Sequence, residues 1–116
     1  MKYFIFPSIL HLLSGCASFY SVTEPESLEN VAIVVSGKSK AQDGKLDFVG
    51  IYGADGDFIN GVRTLYLSPG KHTIGYMCPG WVFLDYAPET PVEVIAGKKY
   101  ELLCNSETNM AWIEEL

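Results

Sequence analysis

Turn-forming residues recur at short intervals along this chain, and their spacing is the feature that most restricts its fold. Asp55-Gly56, Pro69-Gly70 and Gly97 each interrupt a run of apolar or alternating residues, and turn signals of this kind recur about every 8–12 residues. After Cys16, no window shows the apolar spacing of an amphipathic helix. The sequence therefore predicts an all-β fold of about seven or eight strands, an antiparallel sandwich or barrel. Of the two, we expect a small antiparallel β-sandwich.

The predicted strands are the β-branched or alternating runs that lie between these turns. Residues 38–45 are polar and predict a loop, and so does most of the proline-containing stretch 81–91. The strands cover residues 31–35, 46–52, 58–59, 63–67, 71–78, 92–95, 99–104 and 110–113.

The first sixteen residues have the organisation of a secretory signal. Lys2 supplies a positive start, residues 3–13 are almost wholly apolar, and small side chains follow at Ser14 and Gly15. The apolar run is shorter than the stretch of about 20 residues that spans a bilayer. Leu13-Ser14-Gly15-Cys16 resembles the lipobox of bacterial lipoproteins, in which the cysteine becomes the acylated first residue of the mature protein. The resemblance implies lipidation of Cys16 and a membrane partner reached through this lipid anchor.

This resemblance divides the chain into three expected parts. Residues 1–15 would be the signal peptide, residues 16–30 the lipidated cysteine with a flexible tether, and residues 31–116 the β domain. The tether is rich in Ser, Thr and Glu, a composition typical of flexible linkers. In enteric-type sorting, an Asp after the lipidated cysteine favours the inner membrane. Ala17 stands there instead, so the resemblance implies the outer membrane of a bacterial envelope, facing the periplasm.

The charge of the chain restricts its partners. Residues 1–15 contain Lys2 as their only charged side chain, so their removal leaves seven basic and fourteen acidic side chains. An acidic domain is repelled by phosphate backbones, and we expect no nucleic-acid partner. His72 is the only imidazole after Cys16, and the chain has no Cys-x-x-Cys pair. We therefore expect no metal site and no cofactor.

Two cysteines remain after Cys16, which suggests one disulfide in an exported chain. Cys78 lies two residues beyond Tyr76, and Cys104 lies two residues beyond Leu102, so each shares the inward face of its strand. We predict a disulfide between Cys78 and Cys104. The alternative is a pair of buried free thiols, since cysteine is often a small core residue.

Aromatic and acidic side chains occur together in one predicted loop. If this loop is exposed, its rings and carboxylates could bind a sugar or the side chains of a partner. The alternative is that the rings cover one end of a small core. The candidate binding residues are Trp81, Phe83, Asp85 and Tyr86.

His72 is the residue that would most readily suggest catalysis. A serine hydrolase needs an exposed nucleophile, and the Gly-x-Ser-x-Gly pattern of a nucleophile elbow does not occur. His72 also alternates in register with Ile74 and Tyr76, on the face expected to point inward. We therefore expect a buried, neutral histidine that is hydrogen-bonded near the Pro69-Gly70 turn.

Two longer segments resemble a pattern in small uncharacterised bacterial lipoproteins. They are Leu67-Ser68-Pro69-Gly70-Lys71-His72-Thr73 and Gly97-Lys98-Lys99-Tyr100-Glu101-Leu102. In those proteins a Pro-Gly-x-His turn and a Gly-x-x-Tyr turn each begin a sandwich strand, and neither carries a known catalytic residue. We expect a non-enzymatic lipoprotein with a structural or partner-binding β-sandwich. The alternative is an inhibitor-like or envelope-stress module that grips an envelope protein or glycan through residues 81–86.

Overall fold

The computed structural model of the chain describes residues 18–81 and 88–116, and this part is built from β-strands. The all-β fold predicted from the turn spacing is confirmed. No helix in these two ranges is long and apolar enough to cross a membrane. The eleven strands of the described ranges are β1 (Tyr20–Ser21), β2 (Ala32–Ser36), β3 (Lys38–Lys40), β4 (Leu46–Phe48), β5 (Gly50–Ala54), β6 (Asp57–Val62), β7 (Thr64–Leu67), β8 (Gly70–Met77), β9 (Glu89–Val94), β10 (Lys99–Asn105) and β11 (Met110–Glu115).

Two sheets pack against each other to form the sandwich. The first has the strand order β1-β7-β2-β10-β11, and the second has the order β6-β5-β8-β9. Strands β3 and β4 form a separate hairpin beside β10. The neighbouring strands are antiparallel except for β2 and β10, which run parallel with Ile33 opposite Lys99. A parallel pair needs a long crossover connection, and here the chain builds the second sheet between the two strands.

The core lies between the inner faces of the two sheets. Leu65 and Leu102 from the first sheet are fully buried against Ile51 and Ile74 from the second. Each such side chain contributes about 1.5–3 kcal/mol relative to an exposed position. The inward face predicted for residues 71–78 is confirmed by the burial of His72, Ile74, Tyr76 and Cys78.

Hydrogen bonds between side chains and the facing sheet close both edges of the sandwich. At one edge the Tyr20 hydroxyl donates to Asp57 Oδ2 over 3.0 Å, which connects β1 with β6. At the other edge Thr90 Oγ1 donates to the Ala111 carbonyl oxygen over 2.9 Å, which connects β9 with β11. These two bonds therefore connect the two sheets at opposite edges of the sandwich.

Three residues that precede the predicted domain, 19–21, are docked on the sandwich. Tyr20–Ser21 pairs with β7 and packs against the core, although its composition places it in a flexible tether. Phe19 and Ser68 exchange two hydrogen bonds. The Ser68 N–H donates to the Phe19 carbonyl over 3.1 Å, and the Phe19 N–H donates to Ser68 Oγ over 3.0 Å. Phe19 therefore lies beside the Pro69-Gly70 turn.

The polar residues 38–45 form a hairpin with the following strand instead of the predicted loop. Ser39 points inward, whereas the lysines on either side of it are exposed. Its Oγ accepts the N–H of Cys104 over 3.0 Å. The predicted strand 46–52 is divided at Val49, whose N–H donates to the carbonyl of Gly37. In both cases the hydrogen-bond partner lies outside the residue's own strand and its immediate sequence neighbours.

Candidate functional site

The sandwich has two ends, which correspond to the first and last residues of strand β10. Strand β10 begins at Lys99, at the same end of the first sheet as the docked Phe19, and ends six residues later at Asn105. At about 3.3 Å per residue, the two ends are roughly 20 Å apart. We refer to the end that holds Phe19 as the N-terminal end, and to the end that holds Ser106 as the groove end.

The disulfide between Cys78 and Cys104 joins the two sheets at the groove end, as the sequence predicted. The two Cα atoms lie 5.7 Å apart, and both cysteines are buried. Cys78 follows β8 of the second sheet, whereas Cys104 belongs to β10 of the first. The Cys104 N–H is also bonded to Ser39 of β3, so three strands meet at this covalent junction.

A groove of about 490 Å³ lies beside the disulfide. The turn between β3 and β4 forms one wall, and the turn between β10 and β11, together with β11, forms the other. Its chemistry is mixed: one indole ring, two amides, one hydroxyl, one amine and one carboxylate. These groups belong to Trp112, Asn105, Gln42, Ser106, Lys40 and Glu107.

Ser106 is the most buried polar residue of this groove. Its carbonyl oxygen accepts the indole N–H of Trp81 over 2.7 Å and the side-chain amide of Gln42 over 3.4 Å. Its Oγ has no hydrogen-bond partner among residues 18–81 and 88–116, although Ser106 is only 4% exposed. Leaving a buried hydroxyl without a partner costs about 1–3 kcal/mol. A ligand that bonds to this hydroxyl would recover part of that cost.

Trp81 is the residue of the predicted binding loop whose position is described. The backbone turns at Gly80, which has a φ of 88°, and the Trp81 N–H donates to the Cys78 carbonyl over 3.0 Å. The indole is 38% exposed and donates to Ser106, so it is held at the groove end. The other predicted binding residues lie outside the described residues, namely Phe83, Asp85 and Tyr86.

Trp112 is a groove residue that the sequence analysis missed. It lies on the outward face of β11, is 41% exposed, and its Nε1 donates to Glu114 Oε2 over 2.9 Å. The bond to Glu114 restrains the orientation of the indole ring. No local signal identifies it, because a single exposed aromatic side chain on an alternating strand is ordinary.

Tyr76 supports the turn from which the groove is built. Its hydroxyl donates to the carbonyl oxygen of Asn109 over 2.7 Å, which links β8 to the turn between β10 and β11. Burial raises the pKa of Tyr76 above its ordinary value, and a backbone hydrogen bond from Ala111 offsets part of this rise. The phenol therefore stays protonated, and the link stays intact, throughout the neutral pH range.

A second polar cluster lies at the N-terminal end, around His72. Its Nδ1 is 2.7 Å from Asp55 Oδ2, and its Nε2 is 2.6 Å from the Ser68 carbonyl oxygen. Asp55 also accepts the Thr73 N–H over 3.0 Å. The burial and the hydrogen bonding predicted near the turn are confirmed. Asp55 and the Ser68 carbonyl thus hold the imidazole ring from both of its nitrogens.

Serine, histidine and aspartate are also the residues of a hydrolase triad, but their arrangement here is different. Ser68 is buried, and its Oγ, 3.3 Å from His72 Nε2, accepts the N–H of Phe19. The imidazole donates to the Ser68 carbonyl instead of activating the hydroxyl. A depression of about 660 Å³ borders Asp55 and His72, whose polar atoms are already bonded. The cluster therefore holds the turn that begins β8.

Neither the His72 cluster nor the groove assembles a metal site. Within the two described ranges, no group of three His, Cys, Asp or Glu side chains could hold a metal ion. No protein-family model, curated protein or solved structure matches this chain. Its function is therefore inferred from the signal-like start of the sequence and from the geometry of the two ends.

Proposed function

We propose that this chain is a bacterial envelope lipoprotein whose β-sandwich is tethered to the membrane by lipidated Cys16. The domain would have a non-enzymatic structural or partner-binding role on the periplasmic side of the outer membrane. The anchor is inferred from Leu13-Ser14-Gly15-Cys16, and the outer membrane from Ala17. A disulfide supports an exported location, because such bonds persist in oxidising compartments.

The observation that carries the proposal is the docking of the chain only three residues after Cys16. Phe19 is fixed by two hydrogen bonds to Ser68, and Tyr20 is paired with β7. Three extended residues span at most about 11 Å. A lipid on Cys16 would therefore hold the N-terminal end of the sandwich at the membrane surface, with no long flexible tether between them.

Exposed apolar side chains at the N-terminal end support the same placement. Phe19 belongs to the docked segment, and Phe58 lies on β6 next to the residue that Tyr20 bonds to. Ile95 follows β9, and the Leu116 N–H donates to a carbonyl at the start of β10. Apolar side chains beside a bilayer can enter its interfacial region, which adds to the binding from the acyl chains. These residues are 48% to 72% exposed, and they are Phe19, Phe58, Ile95 and Leu116.

Metabolic labelling tests the anchor. Bacteria that express the chain are grown with an alkyne-bearing palmitate, and the protein is then examined for the label. We expect labelled wild type and no label on Cys16→Ser. The matched controls are Cys78→Ser and Cys104→Ser, which should keep the label because the lipobox is intact. A label that persists on Cys16→Ser would refute the proposed site.

Quenching by brominated lipids tests the placement. A small fluorescent amino acid replaces either Ile95 at the N-terminal end or Met110 near the groove end, in the lipidated full chain reconstituted into vesicles. Both side chains are exposed, so the substitution perturbs little. We expect strong quenching at position 95 and weak quenching at position 110, because the two ends are roughly 20 Å apart. Equal quenching would contradict end-on anchoring.

One observation favours a binding role over a purely structural one. The groove end would face away from the membrane, and it contains the unpartnered hydroxyl of Ser106. The alternative role is an inhibitor-like or envelope-stress module that grips a protein or glycan through residues 81–86, of which Trp81 lies at this end. Trp81 supports that alternative, since its indole is held there by Ser106.

A further inference from the structure

We propose that the groove beside Ser106 is a binding site for a neutral saccharide. The inference deepens the partner-binding role proposed above and rests on it, but it does not depend on lipidation of Cys16. The groove is formed by Lys40, Gln42, Asn105, Ser106, Glu107 and Trp112. Its volume of about 490 Å³ falls within the range of roughly 300–1,000 Å³ that is usual for small-molecule sites.

The charges of the groove favour an uncharged ligand. Lys40 and Glu107 contribute one positive and one negative side chain, so the lining has no excess of either sign. A phosphate group would need an excess of cationic donors, which this lining lacks. A strongly basic segment would need an excess of carboxylates. The groove instead suits a ligand that is polar without being ionised.

The polar atoms left available in the groove match a ligand rich in hydroxyl groups. Asn105 Oδ1 already accepts the backbone N–H groups of Glu107 and Thr108, at 2.9 and 3.4 Å, so Asn105 offers its Nδ2 donor. Gln42 uses Nε2 on the Ser106 carbonyl and offers its Oε1 acceptor. The Ser106 hydroxyl can both donate and accept, but its Oγ is buried beneath the lining, so a ligand reaches it only where neighbouring groove side chains move aside. Hydroxyl groups of a sugar satisfy all three, because each can donate and accept.

Trp112 supplies the apolar surface that a sugar ring requires. A pyranose carries hydroxyls around its rim and C–H groups on its faces, so it binds well where a flat aromatic ring adjoins hydrogen-bonding groups. The Trp112 indole is partly exposed, and its N–H is occupied by Glu114. The ring face therefore remains as its binding surface, beside the polar atoms of Asn105 and Ser106.

The groove is also rigid, which lowers the entropic cost of binding. The Cys78–Cys104 disulfide fixes one side of it, and Cys104 itself lines the groove. Tyr76 bonds to the turn that carries Ser106. A saccharide would thus meet a preformed surface, held by strands from both sheets.

Titration with defined sugars tests the inference. The full chain, purified from membranes in detergent, is screened by calorimetry and tryptophan fluorescence against neutral hexose and N-acetylhexosamine oligosaccharides. We expect saturable binding to at least one class. Trp112→Ala should weaken binding at least tenfold. Ser106→Ala should weaken it about two- to tenfold, the range for one hydrogen bond.

The stability of Ser106→Ala separates a ligand-binding hydroxyl from a structural one. Removal of an unpartnered buried hydroxyl should leave the unfolding midpoint unchanged or raise it, whereas removal of a bonded hydroxyl lowers it. Met110→Ala is the matched control, because Met110 is exposed on the same strand as Trp112 but outside the groove. It should bind sugar like wild type, and unchanged far-UV spectra should show that all three variants fold.

Several outcomes would overturn the inference. These are an absence of binding across the panel, binding that survives both Trp112→Ala and Ser106→Ala, and a salt-sensitive preference for sugar phosphates over neutral sugars. The intact mass of the same preparation reports on Cys16 separately. An unlipidated chain that binds sugar would refute the anchor alone, whereas a lipidated chain that binds none would refute the groove alone.

Discussion

Removal of the Cys78–Cys104 disulfide should destabilise the sandwich severely. The bond joins β10 of one sheet to the residue that follows β8 of the other, and both cysteines are buried. The double variant Cys78→Ala/Cys104→Ala breaks this connection without introducing polar groups into the core. The folded strands keep their backbone hydrogen bonds, so most of the loss should arise from the greater freedom of the unfolded chain.

The size of the loss follows from the loop that the bond closes. The two cysteines are 26 residues apart in sequence, and the chain-entropy relation then gives about 3.5 kcal/mol at 25 °C. A domain of this size has a total stability of roughly 5–15 kcal/mol. The loss should lower the thermal midpoint by roughly 15–25 °C.

Urea unfolding measures this loss. The oxidised wild type, the reduced wild type and the double alanine variant are compared at one pH. The reduced wild type is the matched control, because it keeps both sulfur atoms in the core and therefore isolates the loop-closure effect from the loss of packing. We expect both reduced wild type and variant to lose about 3 kcal/mol or more. A loss below about 1 kcal/mol in both would refute the reasoning, since that is the size of an ordinary point mutation.

Three further predictions concern positions on β8. Gly75→Ala should cost about 1–3 kcal/mol in urea unfolding, because its Cβ would lie 2.9 Å from the Cα of Gly53 on the neighbouring strand. His72→Ala should cost about 2–3 kcal/mol in the same assay, since it leaves the buried Ser68 carbonyl and the Asp55 carboxylate without their partner. The raised pKa of Tyr76 means that its contribution to stability is complete below about pH 10 and is lost as pH rises through the folded-state pKa. In urea unfolding, the free energy of unfolding of Tyr76→Phe should therefore fall less than that of wild type between about pH 9 and 11. An identical fall would contradict a raised pKa of Tyr76 in the folded state.

Local patterns in the sequence were sufficient for the fold class and for the disulfide. Alternation from His72 to Cys78 fixes which side chains point inward, because successive residues of a strand face opposite ways. The same rule, applied to Leu102 and Cys104, predicted that the second cysteine also points into the core. Turn residues such as Pro69-Gly70 marked where strands begin. These features depend on neighbours within a few residues, which a sequence pattern contains.

Features that depend on distant partners were not predictable. The strand Tyr20–Ser21 is too short to show an alternating pattern. It forms only because its backbone pairs with β7. Ser39 is polar, and its burial depends on Cys104, which lies 65 residues away in sequence. The parallel pairing of β2 with β10 is equally non-local. The groove combines residues from both ends of the domain sequence, so neither Ser106 nor Trp112 could be recognised as part of a site.

Anchoring at Cys16 is the feature on which the proposed role depends most, and the mass of the protein extracted from bacterial membranes tests it directly. We expect a chain that begins at Cys16 and carries a thioether-linked diacylglyceryl group, with Cys78 and Cys104 protected from alkylation until reductant is added. Proteolysis should place the lipid on the first peptide, which contains Phe19. An unmodified chain, or one that retains residues 1–15 with a free Cys16 thiol, would contradict the proposal.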